Sequence, residues 1–359
     1  MLTAFPDKDT LPWIRDIMAN KRRINQMSSL PLIPDSGTRL IGIARLAAHG
    51  ETVRQGHEVE YFTLPVRSLL NRCVSKRQMP FSWTINPYRG CEFACKYCYA
   101  RYTHEFMEMR NGLEFEQKIY VKQHAAELLQ QELRRVKPNE SIAIGTATDP
   151  YQPIERKLEI TRAILEQFAG HSGFEIGIVS KSAMIVRDID VLQEISRRNH
   201  LTVNFTVTTT ETELARILEP RAPRPDLRLE ALRQLREAGI RAGVICAPVL
   251  PGITDSPKQL ESVVRAAAEA RANYIYANPL FLKPCSAAIF LPFLKEHFPK
   301  LVPDYEQRFK DRAFLPRTYR KRISDLFAQL RKKYHIEKES RWEWPKPEPQ
   351  NAQLSLFAG

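Results

Sequence analysis

From residue 81 onward, short apolar runs alternate with longer stretches in which apolar residues recur every three or four positions. Six runs have the length and β-branched content of strands: 82–86, 141–146, 174–180, 201–208, 241–248 and 274–278. The stretches between them predict helices over 123–136, 159–169, 188–199, 227–238 and 257–270. In the last of these, Leu260, Val263, Val264 and Ala267 mark a single face. Strands and helices in strict alternation predict an α/β fold with a parallel sheet. Right-handed crossovers would wind six such units into a barrel or an open part-barrel, a partial (β/α)6 arrangement.

The fourth strand has two unlike faces. Val203, Phe205 and Val207 alternate with Asn204, Thr206 and Thr208. With the apolar side against the outer helices, the polar side would line a ligand-holding interior; a solvated edge strand shows the same alternation. After Pro284 the alternation of strand and helix ends, and 287–298 and 318–335 read as helical. Residues 316–333 carry seven lysines and arginines between Tyr319, Ile323, Leu326, Phe327 and Leu330, which is either a solvated helix face or a basic face for a polyanion. The pattern thus divides the chain into an irregular, partly ordered N-terminal arm (1–80), the barrel (81–285), a helical C-terminal region (286–341) and a flexible tail (342–359) whose three prolines interrupt any helix.

Composition adds two constraints. At 359 residues and 43% hydrophobic, the chain can bury a sizeable core, which excludes wholesale disorder. The 54 lysines and arginines exceed the 41 acidic residues by 13, favouring polyanionic partners such as nucleic acid. No apolar run approaches membrane-spanning length and residues 1–10 lack the layout of a secretory signal, so the expectation is a soluble, cytoplasmic protein with no membrane partner.

Six cysteines are too few for a disulfide scaffold. Three of them, Cys91, Cys95 and Cys98, form a Cys-x3-Cys-x2-Cys triplet directly after the first strand, and three thiolates on one short loop can converge on a single metal centre. A structural zinc site would close with a fourth protein ligand; no further Cys or His stands at that spacing, although His104 is near. The triplet points to a four-iron four-sulfur cluster with one iron open to a ligand. Cys73 and Cys285 have no local partner and read as structural.

With Tyr97 before the third cysteine, the loop resembles that of the radical S-adenosylmethionine (SAM) enzymes. The resemblance implies a [4Fe-4S] cluster on Cys91, Cys95 and Cys98, an open iron that chelates the amino and carboxylate groups of SAM, and a 5'-deoxyadenosyl radical that abstracts hydrogen from substrate. A reductase, flavodoxin or ferredoxin would supply the electron. Over about residues 82–285 the chain is most similar to the spore photoproduct lyase-related branch. The similarity rests on Thr148-Asp149-Pro150-Tyr151-Gln152-Pro153 after the second strand, on Lys181 at the end of the third and on the polar face of the fourth. It implies that Lys181 pairs with the SAM carboxylate, that Thr148, Asp149, Thr206 and Thr208 meet its polar groups, and that Tyr97 packs by the adenine. One departure stands out: the lyases carry a hydrogen-donor cysteine where this chain has Thr146, so Cys246, Tyr97 or Tyr99 would have to donate instead, unless Cys246 is merely a small core residue.

The tail ends Gln353-Leu354-Ser355-Leu356-Phe357, which resembles the short motif by which bacterial polymerases and repair factors dock on the sliding clamp. The resemblance implies that Leu354, Leu356 and Phe357 anchor in an apolar pocket with Gln353 at its rim. The resulting expectation is a lyase or repair-type enzyme on damaged or modified DNA. An RNA-modifying radical enzyme and a non-catalytic nucleic-acid-associated iron-sulfur protein are the alternatives.

Overall fold

Strands buried on both faces are selected for continuous apolar content, and the runs that met this criterion are the strands of the barrel. A computed structural model describes residues 40–55, 58–73, 81–137 and 140–337; everything below concerns the unit beginning at Gly42. Six parallel strands run side by side: β4 (Trp83–Ile85), β7 (Ser141–Ile144), β8 (Glu175–Ser180), β9 (His200–Thr206), β10 (Ala242–Val249) and β11 (Ile275–Pro279). A short strand, β3 (Leu70–Arg72), caps the β4 edge in antiparallel register. The sheet stays open between β3 and β11, the part-barrel expected.

The helices Ile160–Ala169, Ile189–Arg198, Pro225–Glu237 and Pro257–Glu269 cover its outer face. Their starts are locally encoded: Pro225 and Pro257 occupy first-turn positions where no intrahelical N–H is needed, and the Ser256 hydroxyl caps the second by accepting from Gln259 N at 3.3 Å. Three helices follow β11, Pro284–His297, Val302–Phe309 and Arg317–Lys333. The last buries Tyr319, Ile323, Phe327 and Leu330, while Arg322, Lys321 and Lys333 on its other side pair with Asp255, Asp325 and Glu261. Three of its seven cations are thus paired within the protein. Among the described residues no helix is long and apolar enough to cross a membrane.

One expectation needs correction. Residues 42–72, read as part of an irregular arm, contain the helix Gly42–Ala48 and the strands β1 (Thr52–Gln55), β2 (Glu60–Leu64) and β3. The first two join β6 (Lys118–Lys122) and β5 (Tyr88–Arg89) in a second, four-stranded sheet in the order β1-β2-β6-β5. Strands this short gain their stability from tertiary pairing, as in Glu60 of β2 beside Lys118 of β6, and local patterning carries no trace of that.

Register decides what the barrel interior sees. Phe205 on β9 stands beside Ser180 and Val244, with Val203 and Phe205 in the outer core; Asn204 therefore faces inward beside Val179 and Gly243, and Thr206 beside Ile245. Tyr274 fills the space over Gly243: its hydroxyl donates to Asn204 Oδ1 at 2.9 Å, and a β-carbon on Gly243 would lie 2.3 Å from the ring. Gly243→Ala is expected to lower unfolding free energy by about 2 kcal/mol through overpacking, measurable by denaturant titration.

Candidate functional site

The thiol loop starts where β5 ends, and its first turn is made possible by Gly90. With φ of +83° and the carbonyls of Phe115 and Lys118 each 2.8 Å from where a β-carbon would sit, this position admits no side chain. The buried backbone beyond it is held from several elements. Gly90 O accepts from the Thr148 hydroxyl at 2.6 Å, Cys91 N donates to Phe115 O at 3.0 Å, and Glu92 N donates to Gln152 Oε1 at 3.2 Å. Lys96 N donates to Leu218 O at 2.9 Å, Cys95 O accepts from the Arg101 guanidinium at 3.0 Å, and Cys98 O accepts from the Ser286 hydroxyl at 2.8 Å. Arg101 is itself buried and paired with Glu116 at 2.5 Å.

Cys91, Cys95 and Cys98 are all free thiols. Burial pushes Cys91 well up and Cys95 to about 12, the latter against the lowering fields of Lys181 and Arg228, so iron must displace protons to bind here. Among the described residues no three His, Cys, Asp or Glu side chains close on one metal ion. Thiols that would each bind a different iron of one cluster need not approach one another as closely as the ligands of a single ion. His104 takes no part: its Nε2 sits 3.0 Å from Lys118 O, its ring packs on Phe115 and Tyr120, and burial lowers its pKa to about 4.

Inside the barrel, Lys181 follows β8 two residues after Val179 and so shares the inward face; its Nζ lies 5.9 Å from the centre of the Tyr97 ring. Asp149 is the device that places it. One carboxylate oxygen accepts from Lys181 N at 2.7 Å and the other from the Ser180 hydroxyl at 2.8 Å and Tyr151 N at 2.9 Å. Burial raises the Asp149 pKa against these bonds. Thr148 and Asp149, expected on SAM, thus spend their hydrogen bonds on the thiol loop and on β8. Thr206 faces inward, and its backbone carbonyl accepts from Arg228 at 2.9 Å.

Tyr97 enters a buried polar network absent from the sequence reading. Its hydroxyl bonds Glu219 and lies 3.0 Å from the Thr208 hydroxyl, which also reaches Glu219 and Ala247 O at 3.0 Å each. Glu219 forms a fully buried ion pair with Arg228, whose Nε donates to Pro223 O at 2.7 Å. Burial would raise Glu219, but Arg228 and Lys181 hold it low, and Tyr97 is pushed well up by burial and by Glu219. A signal for Arg228 existed: it shares the helical stripe of Ala231, Leu232 and Leu235, a cation where only apolar residues belong. Glu219 and Ser286 left none.

Cys246 is corrected. It lies on the same side of β10 as Ala242 and Val244, fully buried in the outer core, where burial alone raises its thiol to about 12. There it is a small buried core residue, the alternative that the sequence leaves open. Tyr99, by contrast, is 42% exposed, donates to Thr146 O, and its ring centre stands 6.3 Å from that of Phe281. Residues 353–357 lie outside the described residues.

A model of the radical SAM superfamily matches residues 85–264. An uncharacterized protein of Mycobacterium tuberculosis is 33% identical over 283 residues, 79% of this chain and 83% of that protein. The chain belongs to the radical SAM superfamily. A second relative of this radical SAM enzyme, an uncharacterized protein of Methanocaldococcus jannaschii, is 28% identical over 61% of the chain and 77% of its own length. Among solved structures, a spore photoproduct lyase variant with bound AdoMet and dinucleoside spore photoproduct superposes with a TM-score of 0.57 at 15% identity, covering 88% of this chain and 91% of that one. This establishes a shared fold. The cofactors of the superfamily are a [4Fe-4S] cluster and SAM. The residues present fit both: three free thiols on one loop without a fourth protein ligand, and an inward lysine beside them.

Glu219→Ala would leave Arg228 buried and unpaired, and we expect a loss of about 3–5 kcal/mol in chemical denaturation. Glu219→Gln, which keeps an acceptor for Tyr97, is expected to lose less.

Proposed function

We propose that this radical SAM enzyme carries out a lyase or repair-type reaction on damaged or modified DNA. When bound, the cluster and SAM supply a carbon-centred radical able to abstract hydrogen. The chain's own residues do the rest: Cys91, Cys95 and Cys98 hold the cluster, Lys181 meets the SAM carboxylate, and Tyr97, braced by Glu219 and Thr208, shields the adenine side. Thr148 and Asp149 act as positioning residues for the loop and for Lys181.

The observation that carries a nucleic-acid substrate is the aromatic group around Tyr99. Its ring neighbours Phe281, which stacks on Phe314 with centres 4.3 Å apart, and the Lys283 ammonium sits 3.5 Å from the centre of the Tyr102 ring and 5.9 Å from that of Phe281. Tyr99 and Phe314 are exposed. Exposed rings with a cation among them stack unpaired bases, and a base flipped from a duplex would need such a platform to reach a barrel interior. The likeness to a lyase crystallised with a dinucleoside photoproduct and the surplus of 13 positive charges support the same reading. With Thr146 in the donor-cysteine position and Cys246 in the core, Tyr99 is the candidate hydrogen donor, and the lesion is one whose repair does not need a thiol there.

The test is anaerobic reconstitution, reduction with SAM, and assay of 5'-deoxyadenosine with ultraviolet-damaged DNA, intact DNA and RNA. Damaged DNA should raise its formation several-fold, Cys98→Ala should abolish it together with iron binding, and Tyr99→Phe should uncouple SAM cleavage from change in the DNA. Equal stimulation by RNA alone would replace DNA with RNA as the substrate.

The tail is proposed as a sliding-clamp ligand through Gln353, Leu354, Leu356 and Phe357. Deletion of residues 349–359 should abolish clamp capture in a pull-down and leave deoxyadenosine formation on short oligonucleotides unchanged; an intact chain that captures no clamp refutes the assignment.

A further inference from the structure

A second concave site lies outside the barrel. A groove of about 710 Å3 opens between the helix Gly42–Ala48, residues 66–71 and the strands β5 and β6. It shares no lining residue with the thiol loop or the polar face of β9. Among the described residues five basic side chains line it, Arg45, His49, Arg67, Arg89 and Lys122, and no aspartate or glutamate does.

Two of these cations are placed at considerable cost. Lys122 ends β6 and is only 5% exposed, yet among the described residues its side-chain ammonium makes no hydrogen bond or ion pair. The nearest carboxylate to act on it, that of Glu132, has one oxygen occupied by Leu69 N and Leu70 N, each at 2.9 Å. Burial, and then the neighbouring charge of Arg89, bring Lys122 down to about 7 in spite of Glu132. Arg89 donates through one terminal nitrogen to Thr103 O at 3.2 Å, while its Nε is buried with no partner. Ammonium and guanidinium groups buried without a counter-charge are strongly unfavourable, and proteins that contain them pair them with a ligand or another residue.

The missing partner is an anion. Its chemistry follows from the donors: a guanidinium edge and an ammonium at the floor, with two more guanidiniums and an imidazole at an open, exposed rim. A carboxylate would satisfy one or two of these. A tetrahedral oxyanion offers acceptors in several directions at once, and a neighbouring phosphate extends the charge to the rim.

We infer that the groove between the helix Gly42–Ala48 and strands β5 and β6 is a phosphate-binding site, with Lys122 and Arg89 on one phosphate group and Arg45 and Arg67 on the next. The phosphates belong either to a free phosphorylated ligand or to the backbone of a bound nucleic acid. The second source would hold the strand at a point separate from the reacting nucleotide. This inference does not require the radical chemistry, since its test uses neither cluster nor SAM.

The experiment measures binding of inorganic pyrophosphate by calorimetry, and of a labelled single-stranded oligonucleotide by fluorescence anisotropy, to the full chain and to Lys122→Met and Arg67→Ala. One binding event per chain is expected for at least one of the two ligands, weakened about tenfold or more by Lys122→Met, as loss of a charge-assisted contact requires, and severalfold by Arg67→Ala. Arg67 is exposed, so that variant folds even if the other does not, and the thermal transition of Lys122→Met reports its fold directly. Oligonucleotide that competes with pyrophosphate identifies the backbone as the source; pyrophosphate binding that oligonucleotide leaves untouched identifies a free ligand. Failure of both ligands to bind, or binding with equal affinity by the wild type and both variants, overturns the assignment.

Discussion

The loop from Gly90 to Cys98 runs through the protein interior, and every buried amide and carbonyl along it must find a partner there. That requirement organises the surrounding architecture. The partners come from the turn after β7 (Thr148, Gln152), from Phe115 ahead of β6, from Leu218 at the end of the helix that follows β9, from Arg101 within the loop's own continuation, and from Ser286 in the first turn of the helix that follows β11. Elements nearly 200 residues apart in sequence thus meet at one nine-residue segment. The backbone that carries the three thiols is thus held by hydrogen bonds that need no metal.

The same economy explains the charges beneath the loop. Arg228 and Glu219 are both fully buried, an arrangement that gains little stability over an apolar pair of equal size. What it provides is position. Arg228 ties the end of β9 to the Pro223 turn, Glu219 takes the Tyr97 hydroxyl and the Thr208 hydroxyl, and the Tyr97 ring then stands at a set distance from Lys181. Asp149 does the equivalent for Lys181 from the other side. Its two oxygens span the end of β8, so the lysine emerges from a backbone held at its own amide. Thr208 and Asp149, which sequence alone suggests as ligand contacts, instead spend their hydrogen bonds on holding Tyr97 and Lys181.

How far the chain could be read follows from which of its features are local. The six barrel units were legible because apolar strand runs alternate with helices long enough to carry their own period. The thiol triplet was legible because ligand spacing is a local property. The second sheet was not, since β1, β2, β5 and β6 are at most five residues long and come from segments on either side of the thiol loop. For Cys246 the sequence leaves both readings open for a related reason. The alternation of Ala242, Val244 and Cys246 with Gly243, Ile245 and Ala247 has no polar member to say which side is inward, and only the pairing of Val244 with Phe205 settles it. Arg228 carried a readable sign in its helical stripe, whereas its partner Glu219 lies in a loop where a carboxylate is unremarkable.

Strand β5 links the two regions to which chemistry has been assigned. It is two residues long, with Tyr88 and Arg89 paired to Val121 and Tyr120 on β6. Its end leads without slack into Gly90 and Cys91, because a glycine pressed against two carbonyls allows no other path. Lys122, one residue past that pairing, donates its backbone N–H to Pro87 O at 3.2 Å and so clamps the start of the same strand. The side chains of Arg89 and Lys122 face the basic groove, while their backbones fix where the thiol loop begins. An anion seated between these two cations would neutralise them at the point from which Cys91 is positioned. Neutralised in this way, the two cations would restrain the loop through β5, in addition to the hydrogen bonds of Thr148 and Gln152.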